Sequence, residues 1–193
     1  MSGEVKVLPQ DAAGMVRVQL LHAGKRNAMS VAMWRALRAA FVSFQADASV
    51  RCVLIEGSSD AGEAAFCAGG DISEYPDFRF DAARLRDFHE GAVWGGLSAM
   101  LACDVPIVAA ISGACMGAGV EIAACADLRL AAASARFGAP IARLGFPMAP
   151  REAALVASAV GALTARQMLL EAATFSAHEM APRRFVGTVV EDD

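Results

Sequence analysis

The segment that most constrains this chain runs from Val105 to Ala131, VPIVAAISGACMGAGVEIAACADLRLA, a nearly continuous apolar stretch with a carboxylate, Glu121, set inside it. Pro106 opens it. Ile107 to Ile111 is a short apolar run, the length of a strand buried on both faces. Ser112 and Gly113 break that run. Gly117, Ala118 and Gly119 then lead into a predicted helix that runs through Ala126, and Asp127 to Ala131 turn back into a strand. An unpaired carboxylate in such surroundings is costly, so Glu121 requires either a partner or a purpose.

A helix N-terminus supplies a purpose. Its first N–H groups have no partner within the helix and lie at the positive end of the helix dipole. With only Gly117, Ala118 and Gly119 there, no bulky side chain blocks those donors, and a developing negative charge can dock on them. Glu121 lies one helical turn beyond Ala118 and shares its face. An anion-stabilising donor beside a carboxylate base is a catalytic arrangement. The plainer alternative is that the small residues serve close helix–strand packing and that Glu121 points to solvent.

The chain of 193 residues suits one domain, long enough to bury roughly 70% of its unfolded surface. A net charge of −4 and a pI near 5.4 supply no basic field for nucleic acid. The five cysteines, Cys52, Cys67, Cys103, Cys115 and Cys125, form no CxxC pair and read as buried free thiols of a cytoplasmic protein. No His/Cys/carboxylate cluster has metal-ligand spacing. The opening MSGEVKVLPQDAAG has no basic-then-apolar leader pattern, and the apolar run up to Val120 is too short to span a membrane.

In chain order, Val5–Leu8 and Met15–Leu21 predict a hairpin across the turn residues between them. Ser30 is a plausible N-cap for a helix ending near Asp47, with Met33, Leu37, Phe41 and Phe44 as its core stripe. Val50–Glu56 is the next strand, and residues 57–75 form a long loop whose FCAGGD centre permits close backbone approach to a ligand. Residues 81–102 read as a helix capped by Asp81 and weakened by Gly91, Gly95 and Gly96. His89 on that helix is an acid/base candidate or, as is commoner, a surface histidine. Leu155 to Val160 and Ala165 to Ala173 look like helices, Phe175 to Met180 a turn and helix, and Val186 to Val190 a last strand.

Three of these segments, GKRNAMS at 24–30, AFCAGGDISEY at 65–75 and IVAAISGACMGAGVEIAACADLRLAAASARFGAP at 107–140, together resemble the crotonase family, the enoyl-CoA hydratase/isomerase superfamily. The resemblance implies an α/β fold built as a spiral of strand-strand-helix turns. It implies a single crotonase-like domain over 1–193, with the spiral core over about 1–150 and the start of a C-terminal helical part over about 151–193. Family members usually continue into a longer helical region, so that region is expected to be missing or shortened here.

The implied partner is an acyl-CoA thioester, with coenzyme A as part of the substrate and no separate cofactor. Carried over by position, the thioester oxygen would be held by the backbone N–H groups of Gly70 and Ala118, with Glu121 as acid/base. Ala68 and the stretch Gly70, Asp71, Ile72 and Ser73 would line the acyl-CoA site, and Lys25 and Arg26 would border the CoA nucleotide. Hydratases of the family use a second glutamate just after the FGxP pattern, here Phe137-Gly138-Ala139-Pro140. This chain has Ile141 at that place, and isoleucine transfers no proton. Glu152 and Glu171 follow downstream, but neither occupies the matched position.

The acid/base set is therefore half complete. The expected activity is enoyl-CoA hydratase/isomerase-type enolate chemistry, lyase or isomerase. The alternative is a catalytically weak acyl-CoA-binding homologue or assembly subunit. A homo-oligomer, trimer or hexamer, is implied in either case. A dinucleotide oxidoreductase fits less well, because GACMGAG over 113–119 lacks GxGxxG spacing.

Overall fold

The computed structural model describes residues 3–58 and 64–192. The expected hairpin forms from β1 (Glu4–Val7) and β2 (Met15–Leu21), paired antiparallel. β2 alternates as a half-buried strand must, with Val16, Val18 and Leu20 inward and Arg17 outward. Ser30 caps α1 (Val31–Ala46), accepting from the Met33 N–H at 3.2 Å, and α1 buries Met33, Trp34, Leu37, Phe41 and Phe44.

From β3 (Cys52–Gly57) onward the chain repeats one motion. β3 is followed by the short β4 (Ala65–Cys67), then by helical segments. β5 (Ile107–Ile111) is followed by β6 (Ala114–Met116) and α4 (Ala118–Cys125). β7 (Leu128–Ala132) is followed by β8 (Arg136–Gly138), α5 (Pro150–Val160) and α6 (Ala162–Leu170). β9 (Thr174–Ser176), α7 (Ala177–Met180) and β10 (Thr188–Val190) complete the described chain.

In each turn the first strand joins a six-stranded sheet, order β1-β2-β3-β5-β7-β10, and the second joins a four-stranded sheet, order β4-β6-β8-β9. Neighbours from successive turns are parallel, as helical crossovers require. This is the expected strand-strand-helix spiral.

The short strands were not foreseen. β4 lies inside the expected 57–75 loop, of which residues 59–63 fall outside the described residues, and β6 lies inside the expected turn before the helix. Three residues carry too little periodicity to announce a strand. Gly113 makes the corner between the two sheets. Its φ is +60°, and a Cβ there would lie 1.8 Å from the Ala64 carbonyl oxygen.

The expected 81–102 helix is broken, as its glycines suggested. It consists of α2 (Ala82–Arg86), a π-helical turn over Asp87–Val93, and α3 (Trp94–Leu101). Such wide turns recur at functional sites. All five cysteines are free; Cys67, Cys115 and Cys125 are buried, and Cys52 and Cys103 only partly so. None of the helices among the described residues is long and apolar enough to cross a membrane.

Candidate active site

A cavity of about 410 Å³ opens where the two glycine-bearing segments meet. One segment is 68–71. It is zipped to the 26–29 loop by the Ala68 N–H to Arg26 carbonyl (3.0 Å), the Met29 N–H to Gly69 carbonyl (2.8 Å) and the Asp71 N–H to Met29 carbonyl (2.8 Å). Backbone groups alternate along an extended chain, so the Gly70 N–H points away from Met29.

The other segment is the start of α4. Gly117 adopts φ +48° and ψ −109°, which turns the chain out of β6 so that the helix begins at Ala118. Its carbonyl accepts from the Glu121 N–H at 3.0 Å. A Cβ on Gly117 would lie 3.7 Å from the Gly69 Cα, so the segments are neighbours. Gly70 and Ala118 both line the cavity, and among the described residues neither N–H donates to a protein acceptor.

Glu121 lines the same cavity and is only 7% exposed, so it does not point to solvent. Burial, with the nearby Glu152 carboxylate adding to it, pushes its carboxyl up to about 8. Tyr75, Phe88 and Phe146 form an aromatic wall, with Tyr75 5.5 Å from Phe88 and 5.7 Å from Phe146 between ring centroids. Burial, and then the nearby carboxylates Glu121, Asp71 and Glu74, push the Tyr75 hydroxyl up to about 12.

The expected substrate-contact residues divide. Ala68, Gly70 and Ile72 line the cavity. Asp71 instead caps the 3-10 helix Ile72–Asp77, accepting from the Ser73 N–H at 3.1 Å and from its hydroxyl at 2.7 Å. Lys25 Nζ lies 2.6 Å from the Asp71 carboxylate and donates to the Ser73 hydroxyl at 2.7 Å. Burial raises the Asp71 carboxyl, but the Lys25 and Ser73 hydrogen bonds outweigh it and hold it below its ordinary value. Lys25 therefore stands at the rim of this loop with its charge already engaged. Arg26 sits beside it with φ +48°.

Two further residues join the site: Glu152, to which sequence reasoning gives no role, and His89, which it holds open as an acid/base candidate or a surface histidine. Glu152, in the first turn of α5, lines the cavity with its side chain 3% exposed. His89, on the π-helical turn, faces it, with Nδ1 3.8 Å from a Glu152 carboxylate oxygen. The expectation of a plain surface histidine fails: His89 lines the cavity and Nδ1 is buried. A signal for Glu152 existed. It lies in step with Val156 and Val160, four and eight residues on, which are the other buried residues of α5. Glu171 is exposed. Ile141 lines the cavity and offers it only hydrocarbon.

Residues 10–193 match the profile of a family described as enoyl-CoA hydratase/isomerase. Among curated proteins, the chain is 36% identical over 169 residues to a probable enoyl-CoA hydratase, echA14, of Mycobacterium tuberculosis, covering 88% of this chain and 63% of that protein. It is 34% identical to a mevalonyl-coenzyme A hydratase, SIDH, of Beauveria bassiana, covering 86% of this chain and 60% of that one. Among solved structures, an enoyl-CoA hydratase/carnithine racemase from Magnetospirillum magneticum superposes with a TM-score of 0.90 at 35% identity, over 98% of this chain and 68% of that one. Pseudomonas aeruginosa AtuE gives 0.86 at 33% identity, over 96% and 70%. The chain thus spans 60% to 63% of the length of these curated relatives.

Proposed function

The chain belongs to the enoyl-CoA hydratase/isomerase family, and we propose that it carries the catalytic centre of an acyl-CoA thioester enzyme working through an enolate. The observation that carries this reading is the meeting of the Gly70 and Ala118 N–H groups with buried Glu121 in one aromatic-walled cavity. The two N–H groups hold the thioester oxygen. When the α-carbon loses a proton, or water adds to the β-carbon of an enoyl thioester, that oxygen becomes an oxyanion, and each donor contributes about 3 kcal/mol at the transition state.

Glu121 handles the α-proton. With its carboxyl near 8 it is protonated at neutral pH and gives a proton to the enolate; above that pH it takes one. The apolar wall suits an acyl chain, and Lys25 and Arg26 border the CoA nucleotide. We also propose a homo-oligomer, a trimer or hexamer, supported by the exposed apolar residues Leu128 and Leu130 of β7 and Val190 of β10.

The test is isotope exchange in heavy water with saturated, 2-enoyl and 3-hydroxyacyl-CoA thioesters. Deuterium entering the α-carbon, or water adding to the enoyl substrate, is expected. Glu121→Gln is expected to lower either reaction by about 10³-fold while leaving acyl-CoA binding intact, because the amide keeps the shape and loses the proton. Acyl-CoA binding without any exchange or addition would favour the weak homologue, which the hydrocarbon of Ile141 supports.

A further inference from the structure

We propose that Glu152 is the second proton-transfer group of this site, the base that takes a proton from the water adding to the β-carbon of a 2-enoyl thioester. This rests on the acyl-CoA reading above. Four observations support it.

First, Ile141 lines the cavity without a titratable atom, so a second proton must be handled from another element. Second, Glu152 brings a carboxylate into the cavity from α5, whereas Glu121 stands on α4. Third, among the described residues no lysine or arginine pairs with it. The neighbouring Arg151 turns to Glu90 at 2.7 Å and stacks over the Trp94 ring at 5.6 Å. The basic group beside Glu152 among the described residues is His89, at 3.8 Å, beyond hydrogen-bond reach.

A buried carboxylate without a close cation lowers fold stability and is a poor structural choice. Fourth, His89 Nδ1 is buried and has no hydrogen-bond partner among the described residues. An unpartnered ring nitrogen beside a buried carboxylate marks a place suited to one polar oxygen of a substrate. The Arg151–Glu90 pair, both side chains about half exposed, links α5 to the π-helical turn.

Two carboxyl groups in one cavity do not both ionise readily, so one is a base while the other is an acid. Glu121, already pushed toward its protonated form, is the acid. In the step, a water O–H bond breaks and its proton passes to Glu152. The water oxygen bonds to the β-carbon, and the C=C π pair moves to give the enolate held by Gly70 and Ala118. The Glu121 O–H bond then breaks as its proton joins the α-carbon. The product is a 3-hydroxyacyl thioester. Glu152 is left protonated and Glu121 ionised, and proton exchange with solvent resets them.

The test uses the full chain, a 2-enoyl-CoA and a saturated acyl-CoA in heavy water, with Glu152→Gln and the double variant Glu152→Gln/Ile141→Glu. Thermal unfolding of each confirms folding. Glu152→Gln is expected to lower kcat for water addition by about 100-fold or more with KM little changed. The double variant is expected to recover at least about tenfold, since it returns a carboxyl group to the same cavity from another side. Water addition by Glu152→Gln within about threefold of the unaltered chain overturns the assignment. So does a loss that the folded double variant fails to recover. α-Exchange without water addition in the unaltered chain overturns this assignment alone. Absence of both overturns the acyl-CoA enzyme reading, and this one with it.

Discussion

Glu121 shows how much one residue can ask of its surroundings. An ionised carboxylate is held poorly in this cavity, so its carboxyl sits near 8 rather than at the usual 4.5. A raised carboxyl pKa means that the folded chain binds a proton the unfolded chain has released. Stability from this group is therefore intact below about pH 4.5 and is lost as pH rises toward 8. The steepest loss is about 1.4 kcal/mol per pH unit. Urea unfolding of Glu121→Gln beside the unaltered chain, between pH 4.5 and 8.5, is expected to show the variant gaining relative stability as pH rises. Parallel curves would mean that Glu121 titrates at its ordinary value. Asn27 makes the opposite bargain: it is fully buried but satisfied, accepting from the His22 N–H and donating to the Ser58 and Ala65 carbonyls. It ties the Lys25 loop to the strand that positions Gly70.

At the scale of elements, α4 is pinned at both ends. Gly117 sets its first turn. At the other end the Arg129 guanidinium from β7 donates to the Ala123, Ala126 and Phe185 carbonyls and stacks over the Phe185 ring at 5.1 Å. It satisfies carbonyls that a helix C-terminus leaves open and opposes the helix dipole there. Lysine has one ammonium and cannot bridge three carbonyls in a plane. Arg129→Lys is expected to cost about 2 kcal/mol of unfolding free energy. It is also expected to slow any α-proton exchange, because the Ala118 N–H and Glu121 ride on the helix it holds. Urea melts and the exchange assay read the two effects, and an unchanged melting midpoint would remove Arg129 from this role. α5 shows why the second carboxylate was missed. The sequence reading begins this helix at Leu155 and leaves Glu152 outside it, and only the step to Val156 and Val160 reveals that Glu152 lies on the inward face.

At the scale of the molecule, the spiral lays successive turns against one another so that the segments following β4, β6 and β8 meet at the cavity. It leaves apolar residues outward at Leu128, Leu130 and Val190, with Leu128 60% exposed. Scattered exposed leucines are ordinary, but these sit on paired strands of one sheet. The expected outcome in sedimentation is a trimer or hexamer, and Leu128→Glu together with Leu130→Glu is expected to shift it toward smaller species. A monodisperse monomer from the unaltered chain would sink the oligomer proposal.

The sequence by itself determined the local grammar: the amphipathic α1 with its Ser30 cap, the buried runs of β3 and β5, the glycine entry to α4, and the carboxylate set behind it. Each is written in neighbours a few residues apart, where propensity and periodicity act. The same local logic marked Ala118 and Glu121 as candidates, and the family resemblance added Gly70. The tertiary structure decided what those marks face. The three-residue strands exist because the sheet pairs them, and their own composition does not announce them. Whether Glu121 met solvent or a cavity depended on the distant segments, Ala68 to Gly70 among them, that line the cavity with it. His89 and Glu152, 63 positions apart in the chain, share a cavity with Glu121 because the spiral stacks α5 against α4 and a wide helical turn carries His89 to meet them. Burial and proximity between distant residues are properties of the packed chain, and no window of sequence contains them.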